Sequence, residues 1–139
     1  AEPVGWSCLR QLPLLYRLGM HPFRAAVEAD DHEAAVALLH PDCVFNSPAV
    51  YRPYEGKDAV AFLLQNVIEV FKDFEYIDEL EGDGTHGLVF KARVGDRDVT
   101  GWDYLRTDED GLNTEFTVML RPLSGLQALV AEMGARVGM

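Results

Sequence analysis

Residues 86–106 read HGLVFKARVGDRDVTGWDYLR, and this stretch decides the fold. Two runs of alternating apolar and polar residues flank Gly95-Asp96, a pair that favours a two-residue hairpin turn. Strand side chains alternate between faces, so parity sorts the two runs. Leu88, Phe90, Ala92 and Val94 fall on one face with Val99, Gly101, Asp103 and Leu105. That face is apolar apart from Asp103. The opposite face carries Val89, Lys91, Arg93, Thr100, Trp102, Tyr104 and Arg106.

Outward from this hairpin the same pattern continues. The run from Phe74 to Leu80 alternates with period two, and Gly82-Asp83-Gly84 turns the chain into the strand beginning at His86. Asp110-Gly111 turns it again into Leu112 to Arg121. There, Leu112, Thr114, Phe116, Val118 and Leu120 extend the apolar face, while Glu115, Thr117, Met119 and Arg121 extend the other. Upstream the period changes to that of helices. Pro22 suits the first turn of a helix reaching about Ala29. Asp30 with Glu33 reads as a capping box for a second helix over 31–39, which stops at His40-Pro41. Residues 43–46 read as a short strand and 47–56 as a loop rich in Pro and Tyr. Val60, Leu63, Leu64, Val67 and Phe71 form one stripe of a third helix over 57–72. A last helix starts near Ser124, with Leu126, Leu129, Val130 and Met133 at helical spacing.

Helices segregated from a meander of strands predict an α+β fold. The expected architecture is a few helices packed over a strongly curved antiparallel sheet, plus a C-terminal helix. An apolar pocket is expected between the helices and the sheet. The 139 residues suit one domain, assigned to 20–139, preceded by an extra helical arm over residues 1–19. That arm is amphipathic and broken at Pro13, and it lacks the basic start and cleavage site of a signal peptide. Met20 is a candidate initiator, since the domain pattern begins beside it.

Composition removes several function classes. Apolar residues are 48% and charged residues 25% of the chain, a globular balance. A net charge of −11 repels phosphate backbones and anionic lipid, so neither nucleic acid nor membrane is an expected partner. No apolar run approaches the ~18 residues of a membrane span, and the expected location is cytoplasmic. Arg outnumbers Lys nine to three, a composition associated with GC-rich bacterial genomes. Cys8 and Cys43 match no metal or redox spacing, and Cys43 reads as a small core hydrophobe. His32 and His40 lack the i, i+4 spacing of a helical metal site. No phosphate loop, GxSxG or HExxH occurs, so neither metal nor cofactor is expected.

The stretch from His21 to about Arg121 resembles the nuclear transport factor 2-like superfamily, on its SnoaL-like, ketosteroid-isomerase-like side. The carriers are EADDH at 28–32, ALLHPDCVFNSP at 37–48, YEGKDAV at 54–60 and WDYLRTDEDG at 102–111. The resemblance implies a cone-shaped, curved antiparallel sheet wrapped around the N-terminal helices (a cystatin-like roll) with a deep pocket, usually in a dimer, and leaves the activity open because the superfamily hosts many. In the ketosteroid isomerases a general-base Asp lies where Asn46 stands here, and Asn46 cannot take a proton. An oxyanion-binding Tyr lies near the place of Pro22. An oxyanion-binding Asp lies at the place of Asp103. In the limonene-epoxide-hydrolase branch Asn46 and Arg93 match, but Val44 replaces a Tyr, and Gly95 and Val118 replace the two carboxylates. The SnoaL cyclases carry a late-strand Asp where Val118 stands.

Asp103 is therefore the first candidate for chemistry. Burial disfavours the charged form of a carboxyl, and a neutral acid can donate to a ligand carbonyl. Its bland alternative is a buried Asp satisfied by neighbouring groups. Asn46 is the second candidate, as an amide that orients a ligand or water, against a structural Asn bonding its neighbours. Tyr51, Tyr54, Phe90, Phe116, Val118 and Leu120 are expected to line the ligand space. Trp102, Tyr104 and Met119 on the opposite face are expected to form a homodimer contact, since they would otherwise be an exposed apolar patch. Arg93 and Glu115 belong by parity to that face. Two functions remain: a domain binding a small, mostly apolar molecule, with isomerase, cyclase or hydrolase-type acid/base activity at Asp103, or a non-catalytic binding or dimerisation module with a closed pocket.

Overall fold

The computed structural model describes residues 20–138. The expected arm over 1–19, with Cys8, lies outside the described residues. The chain divides into two compact units, one up to Leu38 and one from Leu39 onward.

In the first unit, α1 (Pro22–Glu28) and α2 (His32–Ala37) are joined by a tight corner. His21 caps α1, its ring accepting from the Phe23 amide. The expected capping box is displaced by one residue. Asp30 adopts the left-handed conformation, with φ of 56°. The Asp30 and Asp31 amides then return to the carbonyls of Val27 and Ala26, closing α1. Asp30 is thus spent ending one helix, and Asp31 caps the next by accepting from Ala34 N at 3.0 Å.

The second unit contains β1 (Leu39–Asn46), β2 (Tyr54–Glu55), α3 (Lys57–Val70), β3 (Lys72–Glu81), β4 (Thr85–Val94), β5 (Arg97–Thr107), β6 (Asn113–Arg121) and α4 (Leu123–Val137). The strands form one six-stranded sheet in the order β2-β1-β6-β5-β4-β3. The sheet is not wholly antiparallel, because β1 runs parallel to β6. β1 also begins earlier than expected, and its ladder breaks between Leu39 and Val44, where Pro41 has no amide to donate. The two-residue edge strand β2 was hidden in sequence, being too short to show any period. The fold class stands as expected: α+β, with a curved sheet, helices towards the N-terminus and a C-terminal helix.

The β4–β5 hairpin follows its pattern residue by residue. Val94 pairs with Arg97 around Gly95, whose φ is 61°. Leu88, Phe90, Ala92, Val94, Val99 and Leu105 are all buried. Gly101 is required here, since a Cβ would overlap the Phe90 ring. Gly125 plays a similar part in α4, leaving room for Val99, so the helix meets the apolar face near that end of β5. An Arg136–Glu69 ion pair joins α4 to α3. Among the described residues no helix is long and apolar enough to cross a membrane.

β3 departs from simple alternation. Its ladder to β4 shifts between Lys72 and Glu75 and again between Tyr76 and Asp78. Such bulges bend a strand and change which side chains face which way. Before the second shift Phe74 and Tyr76 face the side of Phe90; after it Glu79 pairs with Leu88. Leu80, expected with Tyr76, is instead 45% exposed.

Candidate functional site

Asp103 sits near the middle of β5, between Leu88 on β4 and Val118 on β6. It is 6% exposed, a charged residue in a set of hydrocarbon side chains. The Tyr76 hydroxyl donates to Asp103 Oδ2 at 3.1 Å. Tyr76 is itself buried and pairs with Phe90, so it reaches diagonally across β4. Burial pushes the Asp103 carboxyl up to about 7, and the Tyr76 hydrogen bond pulls it partly back. A group poised there carries a proton part of the time at neutral pH, the condition for an acid that both gives and recovers it.

An aromatic wall holds this pair in place. The Phe90 ring stacks on Phe74 at 4.8 Å and meets Phe71 at 5.3 Å. Phe74 also meets Tyr76 edge-on at 4.8 Å, which restrains the phenol ring that carries the hydroxyl. A second cluster on the same sheet face joins Phe45 to Phe116 at 5.6 Å and to Tyr54 at 6.4 Å.

The expected site residues divide accordingly. Phe90, Phe116, Val118 and Leu120 share the face of Asp103, with Val118 and Leu120 half-buried. Tyr54 joins the Phe45 cluster. Tyr51 is fully exposed and is not brought to the others; it lies on a bend whose backbone carries it away from the sheet. Asn46 stands apart from this set. Phe45 takes the apolar face, so Asn46, its neighbour, projects from the other one. There its Nδ2 donates to Thr117 Oγ1 at 2.9 Å. It is not a partner of Asp103.

Sequence reasoning missed Tyr76, whose signal was a polar-tipped aromatic on the same parity as Phe74. It also missed the acidic residues that the Ile77 bulge brings to the apolar face, for which no local signal exists. His86 lies on that face too, with Nε2 3.4 Å from Thr107 Oγ1 and Nδ1 3.7 Å from Glu81 Oε1. Among the described residues no group of three His, Cys, Asp or Glu could hold a metal ion. Cys43 is buried and its thiol is pushed up to about 11 by that burial, so it behaves as a small hydrophobe. A surface groove of about 380 Å³ lies between the β4–β5 turn and α4, lined by Val94, Arg97, Ala128 and Glu132. Val94 is six residues along β4 from Leu88, roughly 20 Å away, so this groove is separate from Asp103.

Comparison with known proteins places the chain. A steroid delta-isomerase from Pseudomonas aeruginosa is 41% identical, with 91% of this chain and 94% of that chain covered and a TM-score of 0.81. An uncharacterised protein with a cystatin-like fold from Silicibacter pomeroyi is 35% identical, covering 90% and 92%, with a TM-score of 0.80. An NTF2-like protein of unknown function from Cytophaga hutchinsonii shares the fold at 19% identity, covering 73% and 85%, with a TM-score of 0.55. No curated protein matches the chain. The SnoaL-like domain profile matches residues 21–121. With that match spanning most of its length, the chain belongs to the SnoaL-like domain family.

Proposed function

We propose that this protein binds a small, mostly apolar molecule bearing a carbonyl or hydroxyl group, and acts on it by acid/base chemistry with Asp103 as the proton donor. The observation that carries this reading is the buried Tyr76–Asp103 pair inside an aromatic wall. Tyr76 occupies Oδ2, which leaves Oδ1 to carry the proton and to meet a ligand oxygen. Apolar surroundings strengthen that hydrogen bond because water does not compete for it. The 41% identity to a steroid delta-isomerase makes ketone isomerisation the first reaction to test.

The experiment is binding and turnover of a β,γ-unsaturated ketosteroid, with the conjugated isomer detected by ultraviolet absorbance. Asp103→Leu, whose side chain cannot donate, is expected to lose affinity for the conjugated product about tenfold or more, the worth of one buried donor. Unchanged affinity in that variant would remove Asp103 from the site.

The opposite sheet face supports a homodimer. Trp102 and Met119 are 38% and 52% exposed there, beside half-buried Tyr104. Paired charges flank them, Arg93 with Asp73 at 2.6 Å and Arg106 with Glu115 at 3.9 Å. A dimer would cover the apolar centre and leave a polar rim. Met119→Lys should then convert a dimer to a monomer in size-exclusion chromatography with light scattering; a wild-type monomer would dispose of the idea.

A further inference from the structure

The groove between the β4–β5 turn and α4 has a volume of about 380 Å³, which is within the range of small-molecule sites. Ala128, Ala131, Glu132 and Ala135 form its helix wall. Their spacing puts all four on one face of α4, roughly 10 Å long at the helical rise. Three of the four end in a methyl group, so this face stands back from the hairpin and the space stays open. Val94, Asp96 and Arg97 belong to the opposite wall. Val94 is buried and pairs with Arg97 across the turn, and Val99, two positions further on β5, is buried as well. Strand parity therefore aims Arg97 to the side of α4 and away from the other sheet face.

The two walls carry opposite charges, Arg97 on the hairpin and Glu132 on the helix. Glu132 is exposed and has no hydrogen-bond or ion-pair partner among the described residues. Arg97 meets Asp96, its neighbour in sequence, with Nε 3.8 Å from Oδ1 and side chains 59% and 97% exposed. So loose and wet a pair holds the guanidinium weakly and leaves its terminal nitrogens to another acceptor. Arg97 and Glu132 do not pair with each other, so neither closes the space between them. Other charges near this end of the sheet are committed elsewhere: Arg136 to Glu69, and Arg93, on the far sheet face, to Asp73. One cation thus faces one unpaired anion over an apolar floor. The complement of that arrangement is a molecule bearing both signs and an apolar body.

We propose that this groove binds a free α-amino acid with an apolar side chain. Its carboxylate meets the Arg97 fork, its ammonium meets the Glu132 carboxylate, and its side chain lies on the alanine methyls. Both protein side chains are long and exposed, so their heads can converge on two groups borne by one carbon. A ligand of zero net charge suits a chain of net charge −11, which repels a plain anion. A plain cation would satisfy Glu132 and be repelled by Arg97. The site is separate from Asp103 and does not depend on the ketone reading. Because the groove is open to water, each ion pair contributes modestly, and millimolar affinity is expected.

The test is a titration of the full, nitrogen-15-labelled chain, followed through its amide NMR signals. Three probes of one shape are used: L-phenylalanine, phenethylamine, which lacks the carboxylate, and 3-phenylpropionate, which lacks the ammonium. L-Phenylalanine is expected to shift the Gly95, Ala128, Ala131 and Ala135 amides saturably, and each singly charged probe to bind about fivefold more weakly, the upper worth of one exposed ion pair. Glu132→Gln should erase the preference over 3-phenylpropionate, and Arg97→Gln the preference over phenethylamine. Ala131→Leu, which fills the groove from an exposed helix position, should abolish binding while circular dichroism stays that of the wild type. No saturable shift at these amides, a singly charged probe binding as tightly as L-phenylalanine, or undiminished binding in folded Ala131→Leu would each overturn the proposal. So would movement of the same amides on dilution of the protein alone, which would mean that a second copy of the chain covers the groove.

Discussion

The Tyr76 hydroxyl reaches across β4 to bond Asp103 Oδ2 at 3.1 Å, and both side chains are buried. The bond favours the ionised carboxyl and so works against the burial that raises it. Tyr76→Phe should therefore move the Asp103 titration upward, by about one pH unit for a hydrogen bond to a charged group. A pH series of carbon NMR spectra of the labelled Asp103 carboxyl measures this. A downward or absent shift in a folded variant would show that the hydroxyl bonds elsewhere in solution.

The same carboxyl links stability to pH. Its folded value of about 7 lies above the ordinary 3.8, so between those values the native state holds more protons than the unfolded one. Stability contributed by Asp103 is then complete below about 3.8 and is lost as pH rises through about 7. The urea midpoint of the wild type should fall between pH 5 and pH 8 relative to that of Asp103→Asn. Parallel curves for the two proteins would mean that the carboxyl is solvated.

Gly101 makes room for Phe90, and Phe90 is the centre of the wall around Tyr76. Gly101→Ala should cost about 1–3 kcal/mol, as overpacking of a filled core does. Adding Phe90→Leu should recover part of that loss, because the two residues share one space. Additive effects in denaturant titrations would show that the ring yields without strain.

Asn46 lies on the far face from Asp103 and donates to Thr117. Asn46→Ala should cost about 1 kcal/mol of stability and leave affinity for the conjugated ketone unchanged. A large loss of affinity, measured by titration calorimetry, would mean that Asn46 turns towards the ligand face on binding.

Much of the fold was legible because its signals are local. Gly95-Asp96 sits between two alternating runs, so the hairpin and its inward residues follow from parity alone. Asp103 could be assigned to the apolar face before any coordinates for the same reason. The site beyond Asp103 was less legible. Asn46 had one neighbour of each kind to choose from, and only the packing of Phe45 on Phe116 settles which side it takes. Strand β2 contains two residues, Tyr54 and Glu55, and gains its pairing from β1 rather than from any preference of its own.

The alternation of the long strands, the turns between them and the single inward carboxyl on β5 were determined by sequence, since each depends on residues a few positions apart. The placing of Glu79 was decided by tertiary structure alone. Phe74, Tyr76 and Leu80 share one parity, and a regular strand would turn Leu80 inward and Glu79 out. Pairing Tyr76 with Phe90 and packing both against Phe74 instead leaves Ile77 as an extra residue. From there the chain is one residue out of step, and an acid takes the place of a leucine. A bulge is a compromise between the ladder and the core beneath it, and that balance involves residues far apart in the chain.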